Sequence, residues 1–261
     1  MRVPIIYHTI FWLFCSLFVS TSALANGQLH AVLARHALSL GNLAAWKSVN
    51  SVSYLLTIKE PTFEVEAVYR ATRDGKMRID IYAQGHRVFT EGYNGKVGWE
   101  WSPKTQGPRI LDETKAAALR HGIELPGHIF TLLDMQQNGH RIEYIGSEVR
   151  DGNNADVIKL TLKDGHEKYY VLDKKSGRIV ASRDQRAFHP SLDETEVMVE
   201  SRPSDYREIA GMVRSFASNS YDLTNNKWLA HSQVKQIKFD ESIAAGYFEP
   251  GGRTSIGFAD E

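Results

Sequence analysis

From Ser51 onward, apolar residues recur at every second position, and the runs they form are separated by glycine-containing turn dipeptides. Val52, Tyr54, Leu56 and Ile58 make one run. Phe63, Val65, Ala67 and Tyr69 alternate with Glu64, Glu66 and Arg70, and Met77, Ile79 and Ile81 alternate with Arg78 and Asp80. Neighbouring side chains of a strand point to opposite faces, so each run reads as a strand with one apolar and one polar face. Asp74-Gly75, Asn94-Gly95, Asn138-Gly139, Asp151-Gly152, Asp164-Gly165 and Ser176-Gly177 punctuate the runs. Glycine after Asn or Asp supports the positive backbone angles of hairpin turns, so the series predicts an antiparallel meander. Further strands are predicted near 141–149, 155–163, 167–172, 178–185, 194–202, 213–219 and 228–239. Ten or more strands of this kind curl or close rather than stay flat.

Two segments break the period of two. Leu29, Val32, Leu33, Ala37, Leu40, Leu43 and Trp46 recur every three or four positions, which predicts an N-terminal helix with a break at Gly41. His30 and His36 lack the i,i+4 spacing of a ligand pair and read as surface or boundary residues. Between the two halves of the sheet, Asp112 is placed to cap a short helix through about Arg120, ended by Gly122 and Pro126. A second apolar helix carries Ile129, Phe130, Leu132, Leu133 and Met135. Helices inserted there would cover the concave face or the mouth of the curved sheet.

Residues 1–25 have the layout of a secretory signal peptide: Arg2, an apolar run over 5–19, and Ala23-Leu24-Ala25 as the cleavage site. The run is shorter than the roughly 20 residues a membrane-spanning helix needs. Cys15 is the only cysteine and follows the bulky Trp12, Leu13 and Phe14, so no lipid anchor is expected. Residues 26–261 then form a single domain without cysteine, which excludes disulfides, thiolate metal sites and a cysteine nucleophile. The 31 basic residues, less Arg2, leave 30 against 31 acidic ones, a balance without the basic field of a nucleic-acid binder. The ten histidines show no metal-ligand spacing; no His-Glu-x-x-His, nucleophile elbow or phosphate loop occurs. Asp193 to Glu196, "DETE", reads as a solvated turn. No catalytic residue, cofactor or metal is expected on these grounds, although an enzyme without a motif stays open.

The stretch "YNGKVGWEWSP" combines the Asn94-Gly95 turn, Lys96, Trp99, Trp101 and Ser102-Pro103. With "ARHALSLGNLAAWKSVNSVSY" near the start and "YYVLDKKSGRIVASRDQ" at 169–185, it resembles the periplasmic outer-membrane lipoprotein-sorting carriers of the LolA/LolB-like family. The resemblance implies a mainly β (α+β) fold: a curved antiparallel sheet forming an incomplete β-barrel, covered by short helices, with an N-terminal helix. It also implies a periplasmic monomer that binds a lipid or a lipoprotein acyl chain in its concavity and meets an inner- or outer-membrane transport partner transiently. Together with the alternation, it proposes Tyr54, Leu56, Val65, Ala67, Ile79, Ile81, Trp99, Trp101, Ile158 and Leu160 as the cavity lining, and Phe130 and Leu133 as its lid. The length beyond Ser204 and the missing lipobox depart from that family's carrier and anchored receptor. An envelope sensor using the same concavity and a ligand-free structural module are the alternatives.

Overall fold

The computed structural model describes residues 26–252; the expected signal peptide lies outside them. Helix α1 occupies 26–39 and α2 Leu43–Ser48, so the break at Gly41 is where the sequence puts it. Asn42 caps α2, its side chain accepting from the amides of Ala44 and Ala45. Six strands follow: β1 (Ser51–Lys59), β2 (Glu64–Thr72), β3 (Met77–Ala83), β4 (His86–Tyr93), β5 (Gly98–Trp101) and β6 (Arg109–Ile110). Then come α3 (Glu113–Glu124), capped by Asp112 as expected, and α4 (Leu132–Gln137), opened by a Thr131/Asp134 capping box. The second half is β7 (Arg141–Arg150), β8 (Asn153–Thr161), β9 (Glu167–Asp173), β10 (Ile179–His189), β11 (Asp193–Ile209), β12 (Met212–Asp222) and β13 (Lys227–Phe239). Gly122 does not end α3. It sits inside the helix, which stops at Glu124, ahead of Pro126. Its cost of roughly 1 kcal/mol against alanine is outweighed by the packing of Ala116 and Ile123.

The thirteen strands form one antiparallel sheet in the order β6-β5-β4-β3-β2-β1-β13-β12-β11-β10-β9-β8-β7. The two halves are joined by the pairing of β1 with the last strand, β13, and the edge strands β6 and β7 do not pair. Mainly β with short helices, the sheet is curved and open, an incomplete barrel. Register shifts in β1–β13, β3–β4, β7–β8 and β9–β10 supply bends of the kind that let a sheet curl. The chain from β6 to β7 must travel between the two edges of the curled sheet, and it does so through α3 and α4 across the concave side. Connectivity alone therefore turns these helices into a cover.

Cover and sheet are packed together by two main clusters. Leu29, Val32 and Leu33 of α1 and Leu132 and Met135 of α4 bury Ile142, Ile158, Leu160, Tyr170 and Leu172 of the second half. Ile123 of α3 and Ile129 lie with Val52, Tyr54, Tyr69, Met77, Phe216 and Ile237. His36, expected at the surface or the boundary, is buried at 3% exposure, and its Nδ1 lies 2.9 Å from the Gly177 carbonyl. Burial holds its pKa below the ordinary value, despite that hydrogen bond. The α1 periodicity is right, but the β9–β10 turn covers the flank on which His36 lies.

The outer face of β2–β5 is not the wet surface that simple alternation predicts. Residues 247–252 return across it. Arg78 is fully buried there: Nη1 donates to the carbonyls of Tyr247 (2.9 Å) and Gly252 (2.8 Å), and Nη2 donates to Asp80 Oδ1 at 2.9 Å. Thr90 Oγ1 donates to the same Asp80 oxygen at 2.7 Å. Trp99 Nε1 donates to the Phe248 carbonyl at 2.8 Å, with the Arg78 guanidinium 5.5 Å from the ring centre.

Candidate functional site

The register of the sheet decides which side chains reach the concave side. Tyr54 pairs with Tyr69, which pairs with Ile79, which pairs with Glu91, which pairs with Glu100. Paired residues share a face, so these five form one row across β1–β5. On the other side of β1, Leu56 pairs with Val234, and β12 adds Phe216 and Ser218. Above the row lies α3, brought down onto β5 where Gly98 meets Ala116; a Cβ on Gly98 would stand 2.9 Å from the Ala116 Cα.

Between this floor and the helices is a partly open cavity of about 1470 Å³. Small-molecule sites are commonly about 300–1,000 Å³, so the space suits a long or branched guest. Its floor is chemically divided. Leu56, Ile79, Phe216 and Val234, with Leu119 and Phe130 from the cover, supply an apolar half. Across β10–β13, Ser182, Ser201, Ser218 and Ser232 supply a hydroxyl-rich half. Beyond them Lys168 donates to Asp184 at 2.9 Å; burial opposes ionisation of Asp184, yet His166, Lys168 and Arg186 hold its pKa well below the ordinary carboxylate value.

Three polar arrangements fix the cover. Arg214, 3% exposed, donates from Nη1 to the Tyr54 hydroxyl (2.8 Å) and to the His128 carbonyl (2.7 Å) in the α3–α4 connection, and its guanidinium stacks 3.9 Å from the Trp46 ring centre. Burial lowers the His128 pKa to about 4, with Arg214 adding to the effect, so the imidazole beside Tyr54 and Tyr69 is neutral. At one end of α3, His121 and Arg120 both reach Asp164 in the β8–β9 turn, at 2.7 and 3.2 Å. At the other, the β10–β11 hairpin tip crosses the mouth. His189 meets Glu60 at 2.9 Å, Ser191 donates to Glu100, and Lys115 pairs with Glu194 at 2.8 Å. The "DETE" segment is thus the start of β11 at the rim of the cavity.

Of the residues proposed from sequence, Tyr54, Leu56, Ile79 and Phe130 stand on the cavity wall. Val65, Ala67 and Ile81 share their face by register but lie away from the wall. Ile158 and Leu160 are on the concave side of β8 and fully buried under α1 and α4, with Leu133 packed beside them. Trp99 and Trp101 are placed differently. They pair with Gly92 and Thr90, point to the convex face, and lie against residues of the C-terminal return and Arg87, respectively. The wall also contains Tyr69, Glu91, Leu119, His128, Phe216 and Val234. Glu91 was detectable in principle: it is a carboxylate at an inward position between Phe89 and Tyr93.

The architecture has counterparts among solved structures. A LolA superfamily protein from Nitrosomonas europaea superposes with a TM-score of 0.52 at 13% identity, covering 77% of this chain and 90% of that one. A DUF1329 family protein from Desulfovibrio piger gives 0.52 at 14% identity, covering 84% and 97%. An outer membrane lipoprotein-sorting protein domain from Vibrio parahaemolyticus gives 0.50 at 12% identity, covering 84% and 94%. The fold is LolA-like. No protein-family model matches the chain, and no curated protein matches its sequence significantly. Among the described residues there is no cluster of three or more metal-ligating side chains, and no helix is long and apolar enough to cross a membrane.

Proposed function

We propose that this protein is an exported, periplasmic carrier that holds a lipid or a lipoprotein acyl chain between its concave sheet and the α3–α4 cover, in outer-membrane lipid or lipoprotein traffic. The observation that carries this reading is the cavity itself: about 1470 Å³, with an apolar floor at Leu56, Ile79, Phe216 and Val234. A buried methylene contributes about 0.8 kcal/mol, so one long acyl chain gains roughly 10 kcal/mol gross. Retention of this kind needs no catalytic residue. The serine half would meet the ester or carbonyl oxygens of such a guest.

Mass spectrometry of organic extracts from protein purified from its native host tests the reading. A lipid should be released in stoichiometric amount, and Val234→Trp, which fills the floor, should abolish its recovery while leaving the fold intact. Lipid-free extracts together with no binding of an environment-sensitive acyl probe would overturn it.

A further inference from the structure

Among the described residues, the hydroxyls of Tyr69 and Tyr170 lack hydrogen-bond partners on the cavity wall, and Glu91 is a carboxylate there without a counter-charge. Glu91 sits on β4, with Ile79 opposite it on β3 and Glu100 opposite it on β5. Glu100 is held by Arg109 and Ser191. Glu91 has neither a hydrogen bond nor an ion pair among the described residues. The cations on the cover above are engaged elsewhere: Lys115 with Asp112 and Glu194, Arg120 with Glu113 and Asp164. Glu194, paired with Lys115, and Glu196 of the hairpin line the same cavity.

Resting on the carrier reading, we infer that Glu91 is the head-group subsite of the cavity and receives the protonated amine of an amphiphile whose chain lies over Leu56 and Ile79. An ammonium offers what Glu91 lacks, a cation with several N–H donors, and a charge-assisted hydrogen bond to a carboxylate in a poorly solvated site is among the stronger polar contacts. Burial and the neighbouring Glu100 raise the Glu91 pKa to about 7, which is the response of a carboxylate with no counter-charge. An ammonium placed there reverses that shift, and the free energy so released favours binding of the cation. A carboxylate or phosphate head placed beside Glu91 is repelled by that carboxylate instead. The hairpin tip closes over this end through Ser191 and Glu194, so the head group of a bound amphiphile would lie at the mouth and its chain within.

The experiment displaces Nile red from the full chain at pH 8 with dodecylamine, dodecanol and dodecanoate, which share a chain and differ in head. Wild-type protein should bind dodecylamine at least tenfold more tightly than dodecanol, with dodecanoate weakest. Glu91→Gln keeps size and polarity, and should reduce the amine advantage to within about twofold while dodecanol affinity is unchanged; circular dichroism checks the fold. If dodecanol binds and the amine has no advantage in wild-type protein, the subsite is refuted and the carrier reading stands. The same holds if the advantage survives in Glu91→Gln. If none of the three displaces the dye, the carrier reading falls and the subsite with it.

Discussion

Replacing Trp99 with alanine should destabilise the fold by about 3–5 kcal/mol and leave amphiphile binding in place. The indole is 1% exposed, its Nε1 bonds the Phe248 carbonyl at 2.8 Å, and Arg78 stands 5.5 Å from its ring centre. A buried aromatic side chain removes about 200 Å² from water, and at about 25 cal/mol per Å² that is about 5 kcal/mol gross. Alanine keeps part of this, while the lost hydrogen bond adds about 1 kcal/mol. Urea unfolding followed by circular dichroism reads the change; with a slope of roughly 3 kcal/mol per M, the midpoint should fall by roughly 1–1.7 M. Gly92→Ala provides an internal check, because its Cβ would stand 2.5 Å from the same indole. It should cost about 1–3 kcal/mol in wild-type protein and close to nothing in the Trp99→Ala background, since the clash disappears with the ring. A Trp99→Ala protein with an unchanged midpoint and weakened Nile red binding would refute this placement of the ring and return it to the cavity wall.

Three further outcomes follow from the geometry. Gly98→Val should push α3 away from β5, costing about 1–3 kcal/mol and raising amide hydrogen exchange along 113–124, because a Cβ there stands 2.9 Å from Ala116. Glu200, which accepts from Arg150, Arg183 and Arg202, is buried; burial opposes its ionisation, yet those three cations lower its pKa to about 2 from an ordinary 4.5. Its contribution is complete above pH 4.5 and is lost as pH falls through 2; urea midpoints of Glu200→Gln should therefore be lower at pH 7 and flatter than wild type over that acid window. Glu91 has the opposite sign. Its pKa is raised to about 7, so its ionisation weakens the ligand-free fold as pH rises above 4.5, and Glu91→Gln should gain on the order of 1–3 kcal/mol over wild type between pH 5 and pH 8.

Much of the architecture could be read from local chemistry. Period-two runs and Asn/Asp-Gly turns place β1–β3 and β7–β13 within a few residues, except that β11 runs on to Ile209, seven residues past its expected end, and Asn94-Gly95 does form the turn between β4 and β5, with Gly95 at φ 92°. The α3 start at Asp112 and the break at Gly41 were equally legible, since a cap and a helix stop are short-range events. Gly122 was misread as a stop because propensity is a weak term that tertiary packing overrides. Within the site, Tyr54, Leu56 and Ile79 were recoverable from alternation; Phe216 and Val234 carried the same signal on β12 and β13.

Alternation assigns residues of a strand to two sets but is symmetric between the faces. It determined that Trp99 and Trp101 share a side, and nothing in "GWEW" says whether that side is concave. What decided it was the ladder from Tyr54 through Tyr69, Ile79 and Glu91 to Glu100, together with the return of residues 247–252, about 150 positions away, to cover the convex face. The cavity is likewise a product of long-range geometry. Its floor combines β1–β4 with β10–β13, and its roof is the crossing that joins β6 to β7. Strand identity is written in neighbouring residues, whereas the choice of the dry face and the size of the enclosed space depend on contacts that exist only once the sheet has curled.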